Sequence, residues 1–152
     1  MSVTTKPKDG AFVVLFKDDW LDKVFLSFRP DKSIWNLPGG DIESDENPAD
    51  AALRETKEET GFTIRTLVSK GVHKNIISVS GEVWNITYLY TSIDPSGDFK
   101  PEFPGSEGEW FSVDNLPQNI QSITSTRVTD ALKSDVTPFV KEFYGTKQRN
   151  IK

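Results

Sequence analysis

The sequence predicts an α/β fold, a mixed sheet packed by helices within one domain. Three observations point there. The 152 residues suit one compact unit, and ten Phe, four Trp and three Tyr supply a substantial core. One strongly helical stretch, 47–60, lies among short apolar runs, and weaker helical pattern returns near the end. Some neighbouring runs are joined by turns too short for a crossover helix, so part of the sheet is antiparallel.

Taken in order, residues 1–9 and 146–152 read as polar tails around a single domain spanning 1–152. AFVVLF (11–16) reads as a buried strand, Asp18, Asp19 and Asp22 mark a turn, and KVFLSF (23–28) is the return strand. A loop at 29–33 leads to a short extended piece, 34–37, ending in Pro38-Gly39-Gly40, a bend that side chains would obstruct. Asn47 is a good N-cap, Pro48 suits the first helical position, and Asp50 favours the positive helix end. Gly61 stops that helix after Thr60. At 100° per residue, Ala49, Ala52, Leu53 and Thr56 form its core face. Strands follow at 62–68, 72–79 and 83–93, with Gly81 in a turn. Three prolines and three glycines make 94–108 a loop before a strand at 109–113. The stretch 119–143 is moderately helical, interrupted at Pro138.

Composition excludes several functions. With no cysteine there is no disulfide scaffold, thiolate metal site or cysteine nucleophile, and His73 is the sole histidine. No apolar run is long enough for a bilayer and no secretion signal is visible, so a soluble cytoplasmic protein without membrane contact is expected. A net charge of -5 offers no field for duplex nucleic acid. That charge is concentrated. Between Asp41 and Thr60 eight acids face Arg54 and Lys57, a net -6, while the other 132 residues sum to +1.

On the helix, Glu55, Glu58 and Glu59 stand at i, i+3 and i+4, so their carboxylates share a face and repel unless protonated or bound to cations. Mg²⁺, a hard cation that prefers oxygen, is the natural neutraliser. Arg54 can either pair with Glu58 one turn on or reach back to Glu46. A charge run alone usually means a solvated face. The wider spacing says more.

From Gly40 the chain reads GDIESDENPADAALRETKEETGF. Gly40, Glu46, Arg54, Glu55, Glu58, Glu59, Gly61 and Phe62 match the spacing of the Nudix box, and the segment resembles that family. Chance would place seven such residues at a given start on the order of once in a billion. Thr56 departs, standing where an aliphatic residue is usual; its hydroxyl can bond back to the Ala52 carbonyl. The preceding Trp-x-x-Pro-Gly-Gly and the later Glu-x-x-Trp also look like the family.

The resemblance implies an α/β/α sandwich with the box as loop-helix-loop. It also implies an Mg²⁺- or Mn²⁺-dependent hydrolase of a nucleoside diphosphate linked to another group. By position, Glu55, Glu58 and Glu59 would be metal ligands with the Gly40 carbonyl, while Arg54 and Glu46 would hold the loop to the helix. The catalytic expectation falls on Glu55, Glu58 and Arg54, with a general base at Glu107 in preference to Glu109. The family often forms homodimers, and the sequence leaves that state open.

Substrate signals are weaker. Residues Ile76 to Val79 match neither the proline typical of ADP-ribose hydrolases nor the tyrosine typical of dinucleoside tetraphosphate hydrolases. Asn119 loosely resembles the asparagine with which triphosphate pyrophosphohydrolases read a purine, although a helix cap is the simpler reading of it. Trp35 and Gly39 flank the Gly loop as candidate substrate contacts; Phe28 is a further stacking candidate, and Trp84 reads as core. Arg29 and Lys32 can meet phosphates or simply face solvent, and His73 reads as a surface or hairpin residue. A nucleoside triphosphate is the leading substrate; dinucleoside polyphosphates, nucleotide sugars and capped RNA stay open. So does a non-catalytic nucleotide-binding module, although such modules typically lose box glutamates and all are present here.

Overall fold

The computed structural model describes residues 6–133 and 138–145. Residues 1–5 and 146–152, expected as tails, lie outside them. Among the described residues eight strands form one mixed sheet: β1 (Gly10–Phe16), β2 (Lys23–Arg29), β3 (Ile34–Asn36), β4 (Gly39–Asp41), β5 (Val68–Ile77), β6 (Val83–Ile93), β7 (Glu107–Ser112) and β8 (Phe139–Gly145). The main order is β3-β2-β1-β6-β5-β8, with β4 on β1 and β7 on β2. The β1–β6 and β5–β8 pairs are parallel; the others are antiparallel.

Two helices, α1 (Pro48–Thr60) and α2 (Ser122–Ala131), cover opposite faces. The alternation along β1 explains the layering, since successive side chains point to opposite faces. Ala11, Val13 and Leu15 pack with Ala51 and Ala52 of α1, whereas Val14 and Phe16 pack with Val128 and Ala131 of α2. Among the described residues no helix is long and apolar enough to cross a membrane.

Helix α1 has the expected ends. Asn47 accepts from the Asp50 amide at 2.8 Å, and Gly61 closes the helix by donating to the Lys57 carbonyl. Its core face is rotated from expectation: Ala51, Ala52, Thr56 and Thr60 are buried, while Leu53 is exposed. The Thr56 hydroxyl is fully buried and has no hydrogen-bond partner among the described residues, so the expected bond to Ala52 is not made. Thr56→Val removes this unsatisfied hydroxyl while keeping the side-chain shape. It is expected to raise the stability by about 1 kcal/mol in denaturant unfolding; a lower midpoint would mean that the hydroxyl is satisfied by water.

Three other expectations change. The 62–68 strand is absent: Thr63 makes an isolated bridge to Ser96, and β5 begins at Val68. Strand β7 starts at Glu107, inside the expected loop, because β2 offers it six consecutive partners. The helical tail divides into α2 and then β8, which pairs with β5 from Gly71 to Ile77.

That last pairing also relocates His73. It is buried rather than superficial, with Nε2 3.0 Å from Asp130 Oδ2 and its ring between those of Phe139 and Phe143. Burial lowers the imidazole pKa despite Asp130, with Arg127 and Lys141 adding to the effect. Burial alone would raise the Asp130 carboxyl, but Lys133, Lys141 and His73 hold it below its ordinary value. Both shifts act in one direction. The unfolded chain takes up the extra protons first, so this cluster's stabilisation is full above the ordinary histidine pKa and is lost on acidification. The Tm is expected to fall between about pH 7.5 and about pH 5.5, and His73→Gln to shrink that fall. An equal fall in both proteins would place the titrating group elsewhere.

Candidate active site

The Gly-Gly bend becomes β4, paired to β1 through Phe12–Gly39, Ala11–Gly40 and Gly10–Asp41. A side chain is excluded at Gly39, and at Gly40 it would displace the Glu55 carboxyl group. Gly39 has φ +151, and an added Cβ would stand 2.5 Å from the Phe12 ring; at Gly40 it would stand 2.7 Å from the Glu55 carboxyl carbon. This close approach lets α1 deliver its carboxylates to the β4 backbone. The Gly39 amide donates to Glu59 Oε1 at 2.8 Å, a bond spanning the whole box.

Arg54 ties the arrangement together. Its Nε and Nη2 fork onto Glu46 at 2.8 and 2.9 Å, and Nη2 also donates to the Asp41 carbonyl at 3.1 Å. Its Nη1 reaches Glu55 at 3.0 Å and Glu58 at 3.3 Å, so Arg54 contacts both of the partners open to it. Glu46 also accepts from the Glu43 amide. Hydrogen bonding to Arg54 holds Glu46 down at about 2, and the same contact raises the guanidinium pKa. The opposite applies next door. Burial pushes Glu59 up to about 8 against its bond from Gly39, and burial raises Glu55 against Arg54; Glu102 adds repulsion to both.

A cavity of about 400 Å³ opens here. Glu55, Glu59, Gly39, Gly40 and Asp41 line it together with Arg29, Lys32, Glu102 and Phe103. Phe12, Asn36 and Gln121 are also part of the lining. Arg29 is held by Asp31 through a fork of 3.2 and 2.9 Å and lies over the Phe103 ring at 4.5 Å. The Asn36 amide is oriented by the Leu37 amide and the Thr124 hydroxyl, both donating to its oxygen at 2.8 Å; its nitrogen donates to Gln121 Oε1 at 3.1 Å. With that oxygen engaged, Gln121 has an NH₂ group to offer a ligand.

Several expected residues stand elsewhere. Glu107 and Glu109 project from exposed positions on β7, opposite Phe28 and Leu26, and neither lines the cavity. Glu102, on the loop between β6 and β7, lines the cavity instead. Trp35 packs between Phe28 and Phe111, with ring centroids at 5.2 and 4.9 Å, because strand alternation turns Ile34 and Asn36 to the cavity instead. Asn119 is exposed and contributes only its carbonyl, bonded to the Trp35 amide; the N-cap of α2 is Gln121. Phe28 and half-buried Trp84 are also outside the lining. Among the described residues no three acidic or histidine side chains already converge as a metal shell. Arg54 stands between Glu55 and Glu58, and Glu59 is turned to Gly39.

Hard oxygen donors, two of them carboxyls driven up by burial, nevertheless fit a divalent cation, whose charge would relieve that burial. Glu58, 44% exposed, lies on the next turn and is available to join them.

Sheet, flanking helices and docked acidic helix together define a Nudix-type fold. The NUDIX domain model matches residues 6–131, and the chain belongs to that family of hydrolases. A MutT-like protein of Streptomyces ambofaciens is 31% identical over 105 residues, covering 68% of this chain and 64% of that protein. The m7GpppN-mRNA hydrolase dcap-2 of Caenorhabditis elegans is 31% identical over 143 residues, 91% of this chain but 18% of that protein. The chain thus spans less than two thirds of either curated relative. The solved MutT protein of Bacillus halodurans has a TM-score of 0.73 at 20% identity, over 92% of this chain and 91% of its own; this likeness is one of fold.

Proposed function

We propose that this cavity hydrolyses a phosphoanhydride bond of a nucleoside diphosphate linked to another group, with a nucleoside triphosphate as the leading substrate. The observation that carries the reading is the Glu59–Gly39 bond, which sets an acidic floor in the same cavity as Arg29 and Lys32. Glu55, Glu58, Glu59 and the Gly40 carbonyl would hold Mg²⁺ or Mn²⁺. Such a cation supplies Lewis-acid charge at the diphosphate and lowers the pKa of the attacking water.

The chain's own residues do the rest. Arg54 holds loop and helix in register, so the carboxylates keep their relative places. Arg29 and Lys32 engage phosphate oxygens in the same cavity, which favours a substrate with a free terminal phosphate. Glu102 receives the proton of the attacking water, the role first assigned to Glu107 or Glu109. The Gln121 amide, fixed by Asn36, meets the base edge in place of Asn119. A cytoplasmic protein that binds nucleotide-type small molecules, not duplex nucleic acid, and that can pair as a homodimer belongs to the same proposal.

Capped RNA is the second reading, favoured by the dcap-2 match along 91% of this chain. The deciding experiment is a panel of nucleoside triphosphates, dinucleoside polyphosphates, nucleotide sugars and capped RNA, assayed with Mg²⁺ and with products identified. Triphosphates are expected to give monophosphate and pyrophosphate. Glu102→Gln is expected to lower kcat on the order of a hundredfold, and Glu107→Gln to leave it unchanged. Binding of nucleotides without turnover of any panel member would favour the non-catalytic module instead.

A further inference from the structure

The two helices contribute differently to the cavity. Helix α1 brings carboxylates, whereas α2 braces the strands that form the wall. Gln121 and Thr124, at its start, hold Asn36 of β3. One turn beyond Thr124, Arg127 reaches β1, with its guanidinium carbon 4.3 Å from the centroid of the Phe12 ring.

Arg127 is an unusual brace. Its exposure is 2%, and among the described residues its Nε and Nη1 have no hydrogen-bond partner. Burial pushes its pKa down to about 10, so it remains charged at neutral pH. A buried guanidinium with two nitrogens unpartnered among the described residues is costly, and an apolar side chain of similar volume would be cheaper for stability. Its value must lie in what it touches. The pocket beside it, about 10 Å³ and lined by Asp41, Asn85 and Thr87, has room for a single water.

Phe12 belongs to two structures at once. It lines the main cavity, and it fills the space that a side chain on Gly39 would need. Gly39 is its cross-strand partner and donates to Glu59. Arg127, Phe12, Gly39 and Glu59 therefore form a continuous line from the back of the sheet to the acidic floor.

We propose that Arg127 is a positioning residue: its flat guanidinium fixes the Phe12 ring, and the ring fixes the Gly39 backbone that orients Glu59. The assignment rests on the reading of this cavity as the active site. A planar group against a ring restrains its tilt as a methionine in the same space would not.

The test uses Arg127→Met and Arg127→Lys, with melting temperature, hydrolysis kinetics and amide hydrogen exchange at Gly39 in the metal-free protein. For Arg127→Met the melting temperature is expected to hold or rise. Gly39 exchange should accelerate on the order of tenfold, and kcat should fall by a similar factor with KM within about twofold. Arg127→Lys keeps the charge but not the plane, and should move exchange and kcat in the same direction by less. A folded Arg127→Met with wild-type Gly39 exchange overturns the proposal. If that variant does not fold, Arg127→Lys decides: faster exchange supports the proposal and unchanged exchange overturns it. Exchange needs neither substrate nor metal. Wild-type protein inactive on the whole panel would defeat the active-site reading, while Gly39 exchange would still decide whether Arg127 holds β4.

Discussion

Glu58→Gln is expected to lower kcat on the order of a thousandfold while leaving the fold intact. The side chain is 44% exposed and accepts one long bond, 3.3 Å, from Arg54 Nη1, which a glutamine oxygen can also accept. What glutamine lacks is the negative charge. In the proposed function that charge helps to bind a divalent cation, so Mg²⁺ should raise the Tm of the wild-type protein and the substitution should flatten that rise. Turnover of a good substrate at the wild-type rate would remove Glu58 from the metal set.

Arg54→Ala should act first on the fold. Arg54 is 29% exposed and its partners Glu46 and Glu55 are 16% and 18% exposed, so solvent takes over little of what the guanidinium provides. Truncation leaves the carboxylates of Glu46, Glu55 and Glu58 and the Asp41 carbonyl without their shared donor. A drop in Tm of several degrees is expected in thermal unfolding. Arg54→Lys should recover only part of it, since an ammonium cannot fork onto Glu46 while reaching Glu55 and Asp41. Wild-type stability in Arg54→Ala would show that the network is replaceable by water.

The parts legible in the sequence are those set by local chemistry. Asn47, Pro48 and Gly61 announce both ends of α1, and the box spacing identifies the acidic face and its link to Arg54. The β1–β2 hairpin follows from two apolar runs around an aspartate-rich turn. What escaped depends on contacts distant in sequence. Strand β8 carries apolar residues on both faces, as Phe139, Val140, Phe143 and Tyr144 show, so it lacks a clean period of two; only pairing with β5 makes it a strand. His73 gives no local sign of burial, because Asp130 and the Phe139 and Phe143 rings arrive from α2 and β8. Glu102 sits in a Pro/Gly-rich loop whose path is set by packing, whereas Glu107 already belongs to β7, where it pairs with Phe28 and stands outside the cavity. Asn36 had one usable signal: alternation along β3 sends it opposite Trp35, so choosing the tryptophan as the open residue turned the strand the wrong way round.

The two parallel pairings bear on how the molecule is made. Gly10 meets Thr87 and Gly71 meets Phe139, so each ladder joins segments separated by a large part of the chain. Neither can zip up from a local turn. Folding should be slow for a chain of this length, with loop closure rather than helix formation setting the rate. During synthesis β5 can already lie against β6 while β8 is still unmade, leaving its outer backbone edge open to another chain. The nascent protein is therefore most prone to self-association in the interval between the completion of β6 and the arrival of β8.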